Sequence, residues 1–125
     1  MVEAVFPSEE VTDLPVVVVT GITGYMGSWV GLLALQSGKY RVRGTVRSKT
    51  NTAKLDPIRQ AYGEHFDNLE LVEADLLDPE SLARAMVGAT YVLHTASPFT
   101  IAEPRDENEL IRPAVDGTLS VMRAC

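Results

Sequence analysis

Between Val16 and Thr95, short apolar runs alternate with stretches whose apolar residues recur every three or four positions, the rhythm of strand–helix–strand units. Val16–Val19 is four β-branched residues with no polar alternation, which predicts a strand covered on both faces. Met26, Trp29, Val30 and Leu33 then recur at helical spacing and predict an amphipathic helix that Gly38 ends. Tyr40–Val46 reads as a second strand and Leu69–Glu73 as a third. Asp78-Pro79 predicts a helix start: aspartate caps free N–H groups, and proline at the first helical position loses nothing. That helix should run through Leu82 and Met86 to Gly88, with a fourth strand at Tyr91–Thr95. From Glu107 to Cys125, residues Leu110, Ile111, Ala114, Val115, Leu119 and Met122 share one helical face, and Pro113 should start, kink or split that helix. Residues 1–13 show no periodicity and read as a loose leader, which leaves 14–125 as a dinucleotide-binding domain. Nothing terminates the last helix, so the chain reads as cut.

The expected fold is therefore α/β, the N-terminal portion of a Rossmann-type doubly wound parallel sheet with strand order 3-2-1-4. A chain of 125 residues, 46% hydrophobic and 22% charged, is one domain with material for a core, and it is not a disordered tail. The lone cysteine, Cys125, excludes a disulfide scaffold and a multi-cysteine zinc site. The longest apolar run, Trp29–Leu35, is too short for a membrane span, and the acidic N-terminus is no targeting signal; a cytoplasmic protein is expected. Net charge is −6, but Lys39–Arg59 holds seven basic residues against one acid, Asp56. An acidic protein is a poor nucleic-acid binder, whereas a short basic window suits a small anionic ligand or a solvated helix face.

The segment between first strand and first helix, Thr20-Gly21-Ile22-Thr23-Gly24-Tyr25-Met26-Gly27, is the most informative. A pyrophosphate sits at a helix N-terminus, where unpaired N–H groups and the helix dipole attract anions. Glycines let the chain turn tightly, let phosphate approach the backbone and let helix and strand pack closely. The spacing is G-x-x-G-x-x-G, a variant of the G-x-G-x-x-G pattern. About twenty residues past the last glycine, where a carboxylate would read the ribose of NAD, stands Arg47, with Lys49 and Lys54 soon after. A guanidinium grips a phosphate with paired donors, so NADP (NADPH) is expected over NAD, unless Arg47 merely lies on the surface.

TGITGYMGSWV, RVRGTVR, EADLLD, VLHTASPF and ENELIRPAVDGTLSVMRAC, in this order, resemble the N-terminal portion of an extended short-chain dehydrogenase/reductase. Within the NAD-dependent epimerase/dehydratase superfamily, the resemblance is to the dihydroflavonol reductase and cinnamoyl-CoA reductase-like enzymes. It implies that Gly21, Thr23, Gly24, Tyr25, Met26 and Gly27 form the pyrophosphate turn and that Arg47 and Lys54 meet the 2′-phosphate. It further implies that Asp75, with Leu76, reads the adenine amino group, although Asp75 reads equally as a loop-initiating cap. Thr95, Ala96 and Ser97 would line the ribose and nicotinamide side, at the strand ends where open α/β sheets bind ligands; His94 reads as a packed strand residue.

The resemblance implies carbonyl reduction by hydride transfer on a small ketone or aldehyde, often aromatic or phenolic. That chemistry needs Ser and Tyr-x-x-x-Lys, and the four tyrosines here are followed four residues on by Trp29, Gly44, Phe66 and Thr95. No catalytic residue is assigned, and none of His65, His94 or Cys125 has metal-ligand spacing. The 125 residues are expected to be inactive as a reductase, with catalytic residues downstream. A nucleotide-sugar epimerase or dehydratase, a non-catalytic NADP-binding module and a truncated gene product remain the alternatives.

Overall fold

The computed structural model describes residues 14–96 and 108–125. The leader expected at 1–13, Ser97, and Glu107 at the expected start of the last helix lie outside the described residues.

Four strands, β1 (Val16–Thr20), β2 (Arg41–Val46), β3 (Leu69–Glu73) and β4 (Tyr91–His94), form one parallel sheet in the order β3-β2-β1-β4. Val16–Val19 of β1 pair with Arg41–Gly44 of β2, and Val17–Thr20 pair with Tyr91–His94 of β4. The helices are α1 (Tyr25–Ser37), α2 (Thr52–Tyr62), α3 (Pro79–Ala85) and α4 (Asn108–Ala124). Alternation along β1 sends Val17 and Val19 into a core with Ile22, Leu55, Ile58 and Tyr62, under α1 and α2. Val16 and Val18 enter the opposite core with Leu82, Ala85 and Val121, under α3 and α4. All of β1 is buried, as the valine run predicts, and each buried valine contributes about 1.5–3 kcal/mol. The sheet is doubly wound in the expected order.

The ends of the elements follow local chemistry. Gly38 caps α1 in the left-handed conformation at φ 69°. The Asp78 carboxylate accepts the Ser81 N–H, with Pro79 in the first turn of α3.

Four points depart from expectation. The stripe Met26, Trp29 and Leu33 is not the buried face of α1: these residues are 59%, 53% and 59% exposed. Gly27 and Gly31 are buried instead, because a helix lying this close to a sheet has no room for large side chains beneath it. A Cβ on Gly31 would come within 2.5 Å of Ile22 Cδ1 and 2.6 Å of the Tyr62 hydroxyl. The last helix behaves alike: Gly117 and Val121 are buried, while Ile111, Val115, Leu119 and Met122 face outward. Pro113 lies within α4 and neither starts nor splits it. Finally, α2 stands where no helix was read. Leu55, Ile58 and Tyr62 are its buried stripe, and Pro57 sits in its interior.

Candidate functional site

Because all four strands are parallel, their C-terminal ends share one edge of the sheet. That edge carries, in order, Asp75 after β3, Arg47 after β2, the glycine turn after β1, and Thr95-Ala96 after β4. Neighbouring strands lie about 4.8 Å apart, so residues from four distant chain segments fall within a dinucleotide's length.

The turn is built by partners on β2. Thr45 accepts the Gly21 N–H on its hydroxyl at 3.1 Å and the Ile22 N–H on its carbonyl at 3.2 Å. The Ile22 side chain is fully buried and packs beside Gly31 and Gly44, pinning the turn to the core. Gly21 has φ 69°, and a Cβ there would stand 2.9 Å from Ala96 Cα. A Cβ on Gly27 would strike the Gly21 carbonyl and lie 2.8 Å from Thr95 Oγ1. Gly24 is different. Its φ of −76° suits any residue, and among the described residues a Cβ would meet only the Gly21 carbonyl, at 3.4 Å. The chain's own packing therefore needs glycine at 21 and 27 but not at 24. The open side at Gly24 is a cradle that a side chain would fill.

The same end of α1 is electrostatically open. Gly24, its N-cap, offers no side-chain hydrogen bond, and the first turn holds no acid. No described residue accepts from the N–H groups of Thr23, Tyr25, Met26 or Gly27. Such free donors at the positive end of a helix attract an anion. Tyr25 and Met26 extend into solvent beside them.

The basic window divides. Arg43 is structural: its guanidinium meets Glu70 at 3.1 Å and donates to the Ala85 and Val87 carbonyls at 2.7 Å each, tying β2 and β3 to the end of α3. Arg59 lies over the Phe66 ring at 4.9 Å. Arg47, just past β2, and Lys54, on the first turn of α2, are exposed and pair with no described acid. The loop between them is held by Glu73, whose carboxylate accepts the Lys49 N–H at 2.9 Å.

Asp75 accepts the Leu77 N–H on Oδ1 at 2.9 Å, so it does serve as a loop-initiating cap; Oδ2 has no partner among the described residues. Leu76 turns beneath α4, against Gly117. With Leu77, Pro79, Asp116, Leu119 and Arg123 it lines a cleft of about 320 Å³, which no residue of the glycine turn reaches. Tyr62 donates its hydroxyl proton to the Ser28 carbonyl at 2.6 Å, and burial pushes its pKa up to about 12. That is the wrong direction for a proton donor to an alkoxide. His94 bonds Thr20 through Nδ1 at 2.7 Å, and burial lowers its pKa from the ordinary histidine value. Sequence reasoning overlooked Thr20, Ile22 and Thr45; the only signal for them was their place next to glycines of the turn and of β2.

Fold and edge together are those of a dinucleotide-binding α/β domain. Residues 17–125 match the NAD dependent epimerase/dehydratase family, and the chain belongs to it. Dihydroflavonol 4-reductase of Hordeum vulgare is 43% identical over 109 residues, which cover 87% of this chain and 30% of that protein. Tetraketide alpha-pyrone reductase 1 of Arabidopsis thaliana is 41% identical over the same length, 33% of that protein. The crystal structure of vestitone reductase from alfalfa superposes with a TM-score of 0.63 at 32% identity, over 88% of this chain and 31% of that one. The chain thus spans about a third of the length of the relatives it matches. Among the described residues no helix is long and apolar enough to cross a membrane.

Proposed function

We propose that residues 14–125 are the NADP-binding domain of an oxidoreductase that reduces a ketone or aldehyde of a small, aromatic molecule. The observation that carries this reading is Gly24: a glycine that packing among the described residues does not require, at a helix end where four N–H groups have no acceptor among those residues. A pyrophosphate is the group such a cradle fits. In this reading Gly21–Gly27 hold the pyrophosphate, Arg47 and Lys54 the 2′-phosphate, Asp75 Oδ2 the adenine amino group, and Thr95, Ala96 and Ser97 the nicotinamide side. Bound NADPH would supply hydride. The reductase relatives support the substrate class, since the named ones are a dihydroflavonol 4-reductase and a tetraketide alpha-pyrone reductase.

The chain's own part is to bind and orient. No tyrosine here is followed four residues on by lysine, so protonation of the reduced oxygen, a role worth about 10²–10⁴-fold, is assigned to residues outside these 125. The test is titration of the chain with NADPH and NADH by cofactor fluorescence, alongside Arg47→Asp and an assay of NADPH oxidation with aromatic aldehydes. Losing a charge-assisted phosphate contact costs about 1.5–3 kcal/mol, so NADPH affinity should fall roughly tenfold to a hundredfold and NADH affinity little. Equal losses for both cofactors would refute the assignment of Arg47, and turnover by the chain alone would refute the division of labour.

A further inference from the structure

Thr20, the last residue of β1, is fully buried, and its hydroxyl has three hydrogen-bond neighbours among the described residues. The N–H groups of Thr95 and Ala96 point at Oγ1 from 3.0 and 3.1 Å, and His94 Nδ1 lies 2.7 Å away. A hydroxyl offers two lone pairs and one proton. Two amides occupy both lone pairs, so the proton is left for Nδ1. His94 is then an acceptor at Nδ1 and carries its own proton on Nε2, as a neutral ring. Burial, which disfavours the charged ring, acts in the same direction.

The bonded group reaches the glycine turn. Thr95 Oγ1 donates to the Thr20 carbonyl, and the same Oγ1 crowds Gly27. Ala96 Cα crowds Gly21, whose N–H is held on the other side by the Thr45 hydroxyl. Two buried threonines thus lock three strand ends into one unit.

We propose that Thr20 and His94 are positioning residues: neutral His94 orients the Thr20 hydroxyl, which holds Thr95 and Ala96 against the glycine turn and so sets the β4 wall of the dinucleotide site. The assignment of that wall rests on the cofactor reading above; the bonding itself does not. Two measurements decide the bonding without any cofactor. In the ¹⁵N-histidine-labelled chain, with the signals identified by their loss in His94→Gln, His94 should show an unprotonated Nδ1 and a protonated Nε2. Amide exchange at Thr95 and Ala96 should be slow in the unaltered chain and in Thr20→Ser, and at least about tenfold faster in Thr20→Val, with β1 amides unchanged.

NADPH affinity should fall by about the same factor in Thr20→Val and return in Thr20→Ser. An Nδ1–H tautomer, or unchanged exchange in a folded Thr20→Val chain, would overturn the proposal. The tautomer measurement keeps that power if Thr20→Val does not fold. Undiminished NADPH binding by Thr20→Val would overturn the role of the unit in the site. Failure of the unaltered chain to bind NADPH would overturn the cofactor reading, while tautomer and exchange would still decide the bonding.

Discussion

Replacing Gly24 with alanine should separate ligand binding from folding. At φ −76° and ψ 168°, alanine is unstrained, and its Cβ would make an ordinary 3.4 Å contact with the Gly21 carbonyl. Two small stability terms oppose each other. Restricting the unfolded chain stabilises by about 0.4–1 kcal/mol. Alanine as a helix N-cap is poorer than glycine by about 0.5–1 kcal/mol. The melting temperature should therefore move by no more than about 4 °C. Binding is another matter, because the new methyl occupies the approach to the free N–H groups of α1. Loss of one charge-assisted bond to phosphate costs about 1.5–3 kcal/mol, roughly a tenfold to hundredfold weaker NADPH complex. Gly27→Ala provides the contrast. Its Cβ would strike the Gly21 carbonyl and Thr95 Oγ1, both held by other bonds, and such overpacking costs about 1–3 kcal/mol of stability. Thermal unfolding followed by circular dichroism, with fluorescence titration of NADPH, measures both effects. The reasoning fails if Gly24→Ala binds like the unaltered chain, or if it is destabilised as much as Gly27→Ala.

Tyr62→Phe removes a part-buried hydrogen bond to the Ser28 carbonyl and should cost about 0.5–1.5 kcal/mol in a denaturant melt. The phenol keeps its proton to about pH 12 when folded but loses it near 10.0 when unfolded, so stability should fall as pH rises from 10 to 12, and Tyr62→Phe should flatten that decline. His94 is shifted the other way. The unfolded chain takes up this proton first as pH falls below 6.5, so stability should drop there, less so in His94→Gln; acid melts of both would show a parallel decline if the reasoning is wrong. Strand β4 pairs only with β1 among the described residues, and Tyr91 and Leu93 are exposed on it. The 125-residue chain should associate through this edge, and Leu93→Lys should shift sedimentation toward monomer.

The strands and the glycine turn were legible because their signals are local. A run of four valines can only be covered on both faces, and glycines between strand and helix mark a turn whatever surrounds it. Arg47 was found by counting from the last glycine, and Asp78-Pro79 by the chemistry of a helix start. Helix α2 was missed because Pro57 interrupts its interior and its stripe of Leu55, Ile58 and Tyr62 is sparse.

The burial of the helices could not be read from periodicity. Large apolar residues mark a helical face, yet α1 docks through Gly27 and Gly31, because the distance between helix and sheet admits only small side chains, and α4 turns Gly117 to Leu76 and Val121 into the core. The basic window likewise looked uniform. Charge counts do not distinguish Arg43, whose donors are taken by Glu70 and the end of α3, from Arg47, which faces solvent. Thr20 and His94 are 74 residues apart and meet only because β1 and β4 lie side by side. Composition and spacing thus establish a parallel α/β sheet with a glycine turn between its first strand and first helix. Which glycines serve packing and which leave room for a ligand depends on contacts between distant segments, and those exist only once the sheet has formed.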